Sequence, residues 1–87
     1  MRDKIYSEFK NYFRCELLRA RDQAGRTQEE MAALLDMSPR AYADLESGRS
    51  CCSTVTLLLF LYRGCPHPFA FLAALFRRMD AVLKAGQ

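Results

Sequence analysis

Glycine and proline are scarce in this 87-residue chain, four and three residues respectively. That leaves little room for the repeated tight turns a sandwich or barrel of strands requires. Tryptophan is absent and histidine occurs once. No glycine-rich phosphate loop, nucleophile–base pattern or carboxylate pair in a cleft can be read, so no enzyme is expected. No uninterrupted apolar run is long enough to cross a bilayer. The most apolar stretch, Val55 to Phe76, is split by Arg63, Gly64, Pro66, His67 and Pro68, whereas a span needs about 20 residues. The opening MRDKIYSEFKNYFR lacks the apolar core of a signal peptide. No membrane association and a cytoplasmic location are the resulting expectations.

A strong excess of one charge is also lacking. Net charge is only +3. Between residues 31 and 64, Arg40, Arg49 and Arg63 are matched by Asp36, Asp44 and Glu46. There is no basic stripe, so electrostatics alone do not argue for nucleic acid. Four cysteines are present. Cys51, Cys52 and Cys65 with His67 do not have finger spacing, because two of the thiols are adjacent. No metal and no cofactor is expected. Cys15 reads as a packed helix residue and the rest as free thiols, with a redox pair at Cys51–Cys52 as the alternative.

The residues that are abundant set a helical pattern. Apolar residues make up 51%, at or just above the usual range of about 45–50%, so some apolar surface should need a partner. Ile5, Phe9, Tyr12, Phe13, Leu17, Ala20 and Ala24 recur at three and four, which predicts helix 1 over about Lys4–Ala24, closed by Gly25. Thr27 and Glu30 have capping-box spacing ahead of Met31, Leu34 and Leu35, giving helix 2 over about Gln28–Leu35. Ser38 as N-cap and Pro39 at the first position open helix 3, which runs to Ser47 before Gly48. Ser53 caps helix 4, Thr54–Tyr62, apolar nearly all round and so expected at the centre of the core. Pro68 opens helix 5, reaching about Ala85. Two short helices joined by a tight polar turn suggest a helix-turn-helix.

The segments TQEEMAALLDMS and LESGR, in that order, resemble the Cro/phage-repressor (XRE-type) helix-turn-helix family. The likeness spans roughly residues 13 to 64, and the family's Leu-Arg pair at the end of helix 1 appears as Ala20-Arg21. It implies an all-α, five-helix, repressor-like domain with extended first and last helices. One domain would occupy 1–87, with its helix-turn-helix core at 13–64 and a terminal helix within 65–87. It also implies duplex DNA as partner and sequence-specific transcription regulation.

By the same resemblance, Gln28 contacts a phosphate and braces helix 3, and Arg21 pairs with Glu46 to join helices 1 and 3. Tyr42 and Leu45 point inward, so Pro39, Arg40, Ala43 and Asp44 should face outward. Arg40 is the candidate for bidentate guanine readout, and Ala43 for a thymine methyl. Ser38 begins this face, while Ser47 and Arg49 suit phosphates. Relatives often carry polar or basic residues where this chain has Ala41, Ala43 and Asp44. That keeps open a protein-interaction module of the same fold, antitoxin-like or an accessory subunit, with a protein partner and little DNA affinity.

Helix 5 carries a stripe wider than the roughly 100° that one-sided packing uses: Phe69, Leu72, Leu75, Phe76, Met79, Val82 and Leu83, broadened by Phe71 and Ala73. A homodimer contact through Phe69, Leu72, Phe76 and Met79, with or without helix 1 of the partner, is therefore expected. The alternative is that helix 5 closes the domain's own core.

Overall fold

A computed structural model describes residues 1–85 and contains no strand among them. Five helices follow in order: α1 Arg2–Ala24, α2 Gln28–Leu34, α3 Pro39–Ser47, α4 Thr54–Leu59 and α5 Pro68–Ala85. A single widened π-helical turn, Phe60–Gly64, continues α4. This is the all-α, five-helix architecture that the sequence implies, with long first and last helices. No helix among the described residues is long and apolar enough to cross a membrane.

Local chemistry sets the helix ends. Thr27 accepts from the Glu30 amide at 3.1 Å, and Glu30 Oε1 accepts from the Thr27 amide at 2.8 Å. Ser38 and Ser53 accept from the amides of Ala41 and Thr56. At the other ends, Arg26, Met37 and Arg49 each donate from their amides to a carbonyl five residues back. That closure needs a left-handed residue just before it. Gly25 and Gly48 supply it at φ 66° and 81°, and Asp36 does so at φ 54°. Gly48 has little freedom to change, because a Cβ there would meet Arg14 Cδ at 3.3 Å.

α1 is the spine. α5 packs along it, α3 crosses it further on, and α2 lies on α3 and on the π turn. The core is aromatic. Phe13 meets Phe60 and Phe71 edge-on at centroid distances of 5.3 and 6.3 Å, and Tyr12 meets Phe71 at 5.0 Å. Tyr12 donates its hydroxyl proton to the Phe71 carbonyl at 2.8 Å. Its proton is held more tightly than usual, through burial first and then the nearby Glu16 charge. Arg78 ties the outer end of α5 to α1, with Nη1 2.9 Å from Glu8 Oε1. Leu17, Met31, Leu35, Tyr42 and Leu45 complete the interior.

Three expectations need correction, at helix 4, Cys15 and Ala24. Helix 4 is not central: no residue of Thr54–Leu59 is buried, and Val55, Leu58 and Tyr62 are exposed. In the widened turn that follows, Phe60 and Gly64 are buried instead, while Leu57, Leu59 and Leu61 pack half-buried against the core. Cys15 is exposed, because it lies about half a turn from Phe13, off the buried stripe of α1. Ala24 is exposed at the end of α1, beyond the last element packed over it. On α5 the inward pair is Phe71 and Leu75. Phe69 and Phe76 face outward, 84% and 63% exposed, while Leu72 and Met79 are half-buried against the core.

Phe60→Ala should lower stability by about 3–5 kcal/mol, the scale of a large aromatic removed from a packed core. Tyr62→Ala, two residues on at 88% exposure, should stay within about 0.5 kcal/mol. Urea unfolding of the two variants beside wild type checks the contrast.

Candidate nucleic-acid interface

The second and third helices are locked to the first through one carboxylate. Glu46, 6% exposed, sits in the last turn of α3, a turn that also buries Leu45. Arg21 of α1 donates from Nε to Glu46 Oε2 at 2.7 Å and from Nη2 to Oε1 at 3.3 Å. Gln28, at the first position of α2, donates from Nε2 to Oε1 at 3.0 Å. Tyr42, one turn back on α3, donates its hydroxyl proton to Oε2. Burial alone would push the Glu46 carboxyl upward. The hydrogen bonds from Arg21, Tyr42 and Gln28 outweigh it, so the carboxyl titrates below its ordinary value. Tyr42 is driven the other way, by burial and then by its bond to the carboxylate. Arg21 spends its remaining reach on the Arg26 carbonyl at 3.3 Å.

This knot sets where the outer residues lie. Gln28 and Pro39 border one shallow depression with Arg21 and Arg26, so the starts of α2 and α3 open onto the same surface. Exposed helix N-termini there present unpaired amides and the positive end of the helix dipole. Arg40 is exposed and makes no ion pair among the described residues. Ser38 is exposed, with its hydroxyl oxygen engaged as the cap of α3. Ala43 and Asp44 are half-buried, which leaves less of Ala43 to offer a base. Asp44 lies 4.0 Å from the well-exposed Arg49, a pair worth little in stability that still offsets the acid. Ser47 donates to the Asp44 carbonyl at 3.1 Å. Glu29 and Glu30 in the first turn of α2 are the acidic part of the same rim.

Two participants are absent from the sequence reading. Tyr42 appears there only as an inward apolar residue, although its spacing of four from Glu46 is a signal that one helix face carries both. Arg14 is the other. It lies against Gly48 at the end of α3, with Nε buried and without a hydrogen-bond partner. Its seven-residue spacing from Arg21 puts both on one face of α1.

The cysteines do not form a centre. All four are free, and no cluster of three or more metal-ligating side chains occurs among the described residues. Burial, followed by the neighbouring Cys51, pushes the Cys52 thiol up to about 12. It is therefore protonated near neutral pH, where thiol exchange needs the thiolate.

Two short helices crossing on a third, with the second held by an ion-pair knot and facing outward, define a helix-turn-helix. Residues 17–60, half of the chain, match the family model described as Helix-turn-helix. The chain belongs to the Cro/repressor-type (XRE) helix-turn-helix family, a DNA-binding family. No curated protein and no solved structure gives a match.

Glu46→Ala leaves Arg21 without its carboxylate and should cost about 3–5 kcal/mol, as for a broken buried pair. The folded carboxyl is depressed, so its contribution is fully present above the ordinary glutamate range and is lost as pH falls through the depressed folded value. Glu46→Gln should accordingly flatten the acid limb of a stability–pH profile measured by thermal unfolding below pH 6. An unchanged limb would mean that the knot contributes nothing in acid.

Proposed function

We propose that the chain is a sequence-specific transcription regulator that lays α3 in the major groove of duplex DNA as a homodimer. The observation that carries this is the Glu46 knot, which fixes α3 against α1 and α2 while Arg40 stays exposed and unpaired. A rigidly held helix with a free guanidinium suits bidentate reading of guanine. Gln28 and Arg49 flank it as phosphate-positioning groups, helped by the start of α2, while Ser38 and Pro39 open the face and Ser47 lies at its far end. Ala43 and Asp44 complete the face, Asp44 as acceptor for a cytosine amine.

The dimer reading is supported by α5. Phe69 and Phe76 lie seven residues apart on one face, both well exposed, and Leu72 and Met79 flank them half-buried. A twofold contact there would bury surface that water disfavours and would set two copies of α3 about one helical turn, ~34 Å, apart on DNA. A protein-interaction module of the same fold is the second reading. Val55, Leu58 and Tyr62, all exposed along α4 and the turn after it, favour it, as does the single cation on α3. A cytoplasmic site of action fits either reading.

Binding should appear in fluorescence anisotropy against a duplex selected from a random pool. Arg40→Ala should cost about 1–3 kcal/mol and relax preference at one base pair, while Gln28→Ala and Arg49→Ala weaken all sequences alike. Wild-type protein that binds no duplex at low salt would hand the function to the interaction module. Light scattering should give twice the 10.0 kDa chain mass, falling to the monomer in Phe76→Asp, which changes an exposed side chain and should still fold.

A further inference from the structure

Beside Glu16, Arg19 and Gln23 of α1 lies a cleft with no role in the knot described above. It has a volume of about 300 Å³ and lies between α1, the loop after the π turn and the start of α5. That is the lower end of the size range for small-molecule sites, roughly 300–1,000 Å³. Its apolar wall is formed by Ala70 and Ala74 of α5, backed by the nearly buried rings of Tyr12, Phe60 and Phe71. Its polar edge carries Arg19, Gln23, His67 and Arg77, with Glu16 as the one acid. A second, shallower cleft shares Ala20, Gln23, Cys65 and Pro66 with it and adds Arg26 and Arg63 at its mouth. The field at the rim is therefore positive, although the chain as a whole is nearly balanced.

The donors are not equally free. The Tyr12 hydroxyl is spent on the Phe71 carbonyl. Glu16 is drawn to Arg19 at 3.5 Å, which reduces its repulsion of an anion. Burial keeps the Cys65 thiol in its neutral form. Arg77 has no ion-pair partner among the described residues and lines the cleft one turn after Ala74. A small apolar wall beside an unpaired guanidinium matches a ligand with a small apolar body and one carboxylate, since guanidinium meets a carboxylate with two parallel hydrogen bonds.

We propose that this cleft is a binding site for a small organic carboxylate, its apolar body against the α5 alanines Ala70 and Ala74 and its carboxylate at Arg77. The site stands apart from α3, and nothing in it depends on DNA binding. The probe is benzoate, titrated into the full chain at constant ionic strength and followed by backbone amide shifts in NMR, with benzamide and acetate as controls. Saturable shifts should gather at Gln23, Cys65, Ala70 and Ala74. Benzamide lacks the charge and acetate lacks the ring, and each should bind about tenfold more weakly or less, which is the loss of roughly one good contact. Arg77→Gln, an exposed position, should weaken benzoate about fivefold and leave benzamide unchanged. Ala74→Leu should fill the cleft and remove the saturable shifts. Equal response to all three probes, shifts scattered over surface arginines without saturation, or benzoate binding untouched by Arg77→Gln would overturn the proposal.

Discussion

A carboxylate taken out of water between helices is costly unless donors meet its oxygens, and Glu46 is met from three helices at once. Arg21 comes from α1, Gln28 from α2 and Tyr42 from its own α3. Each donor alone would leave part of the carboxylate unsatisfied. Together they reverse the effect of burial, and the carboxyl titrates below its ordinary value. The geometry that satisfies all three is narrow, because a neutral or displaced donor is expensive in such a setting. The tilt of α3 relative to α1 and α2 is therefore fixed by polar chemistry, while apolar packing alone would permit sliding.

The aromatic core performs a separate task on the same spine. Phe13, Phe60 and Phe71 interlock near the middle of α1, holding α5 and the π turn, while Arg21 lies about two turns further on. The widened turn at Phe60–Gly64 links the two regions. It delivers Phe60 inward, and buried Gly64 leaves room beside the Phe60 ring and Met31 of α2. α4 meanwhile packs Leu57 and Leu59 half-buried against the core and leaves Val55 and Leu58 outside. Tyr62 of the widened turn faces water with them.

Much of this was legible before any coordinates. The caps at Thr27, Ser38 and Ser53 and the glycines at 25 and 48 are chemical punctuation, and the helices start and stop at them within a residue or two. α1 begins earlier than its apolar stripe does, because polar residues at its start continue the helix without adding to the pattern. The resemblance pairs Arg21 with Glu46, and the two side chains lie 2.7 Å apart. What could not be read was which apolar residues point inward once a helix is apolar all round. Periodicity has no contrast there, so it puts α4 at the centre of the core and does not separate inward Phe71 from outward Phe69 and Phe76. The bulge that swings Phe60 inward has no signature in composition. Tyr42 as a donor and Arg14 beside Gly48 depend on how helices cross, a property of tertiary packing.

α3 is held by donors that outweigh burial at Glu46, and the sign of one number decides whether they do. Carbon-detected NMR titration of the Glu46 side-chain carboxyl in the folded protein reads that number directly. The expected midpoint lies below the ordinary glutamate value of 4.5. A midpoint at or above 4.5 would mean that burial wins, that the knot is loose in solution, and that something other than Glu46 holds α3 in place.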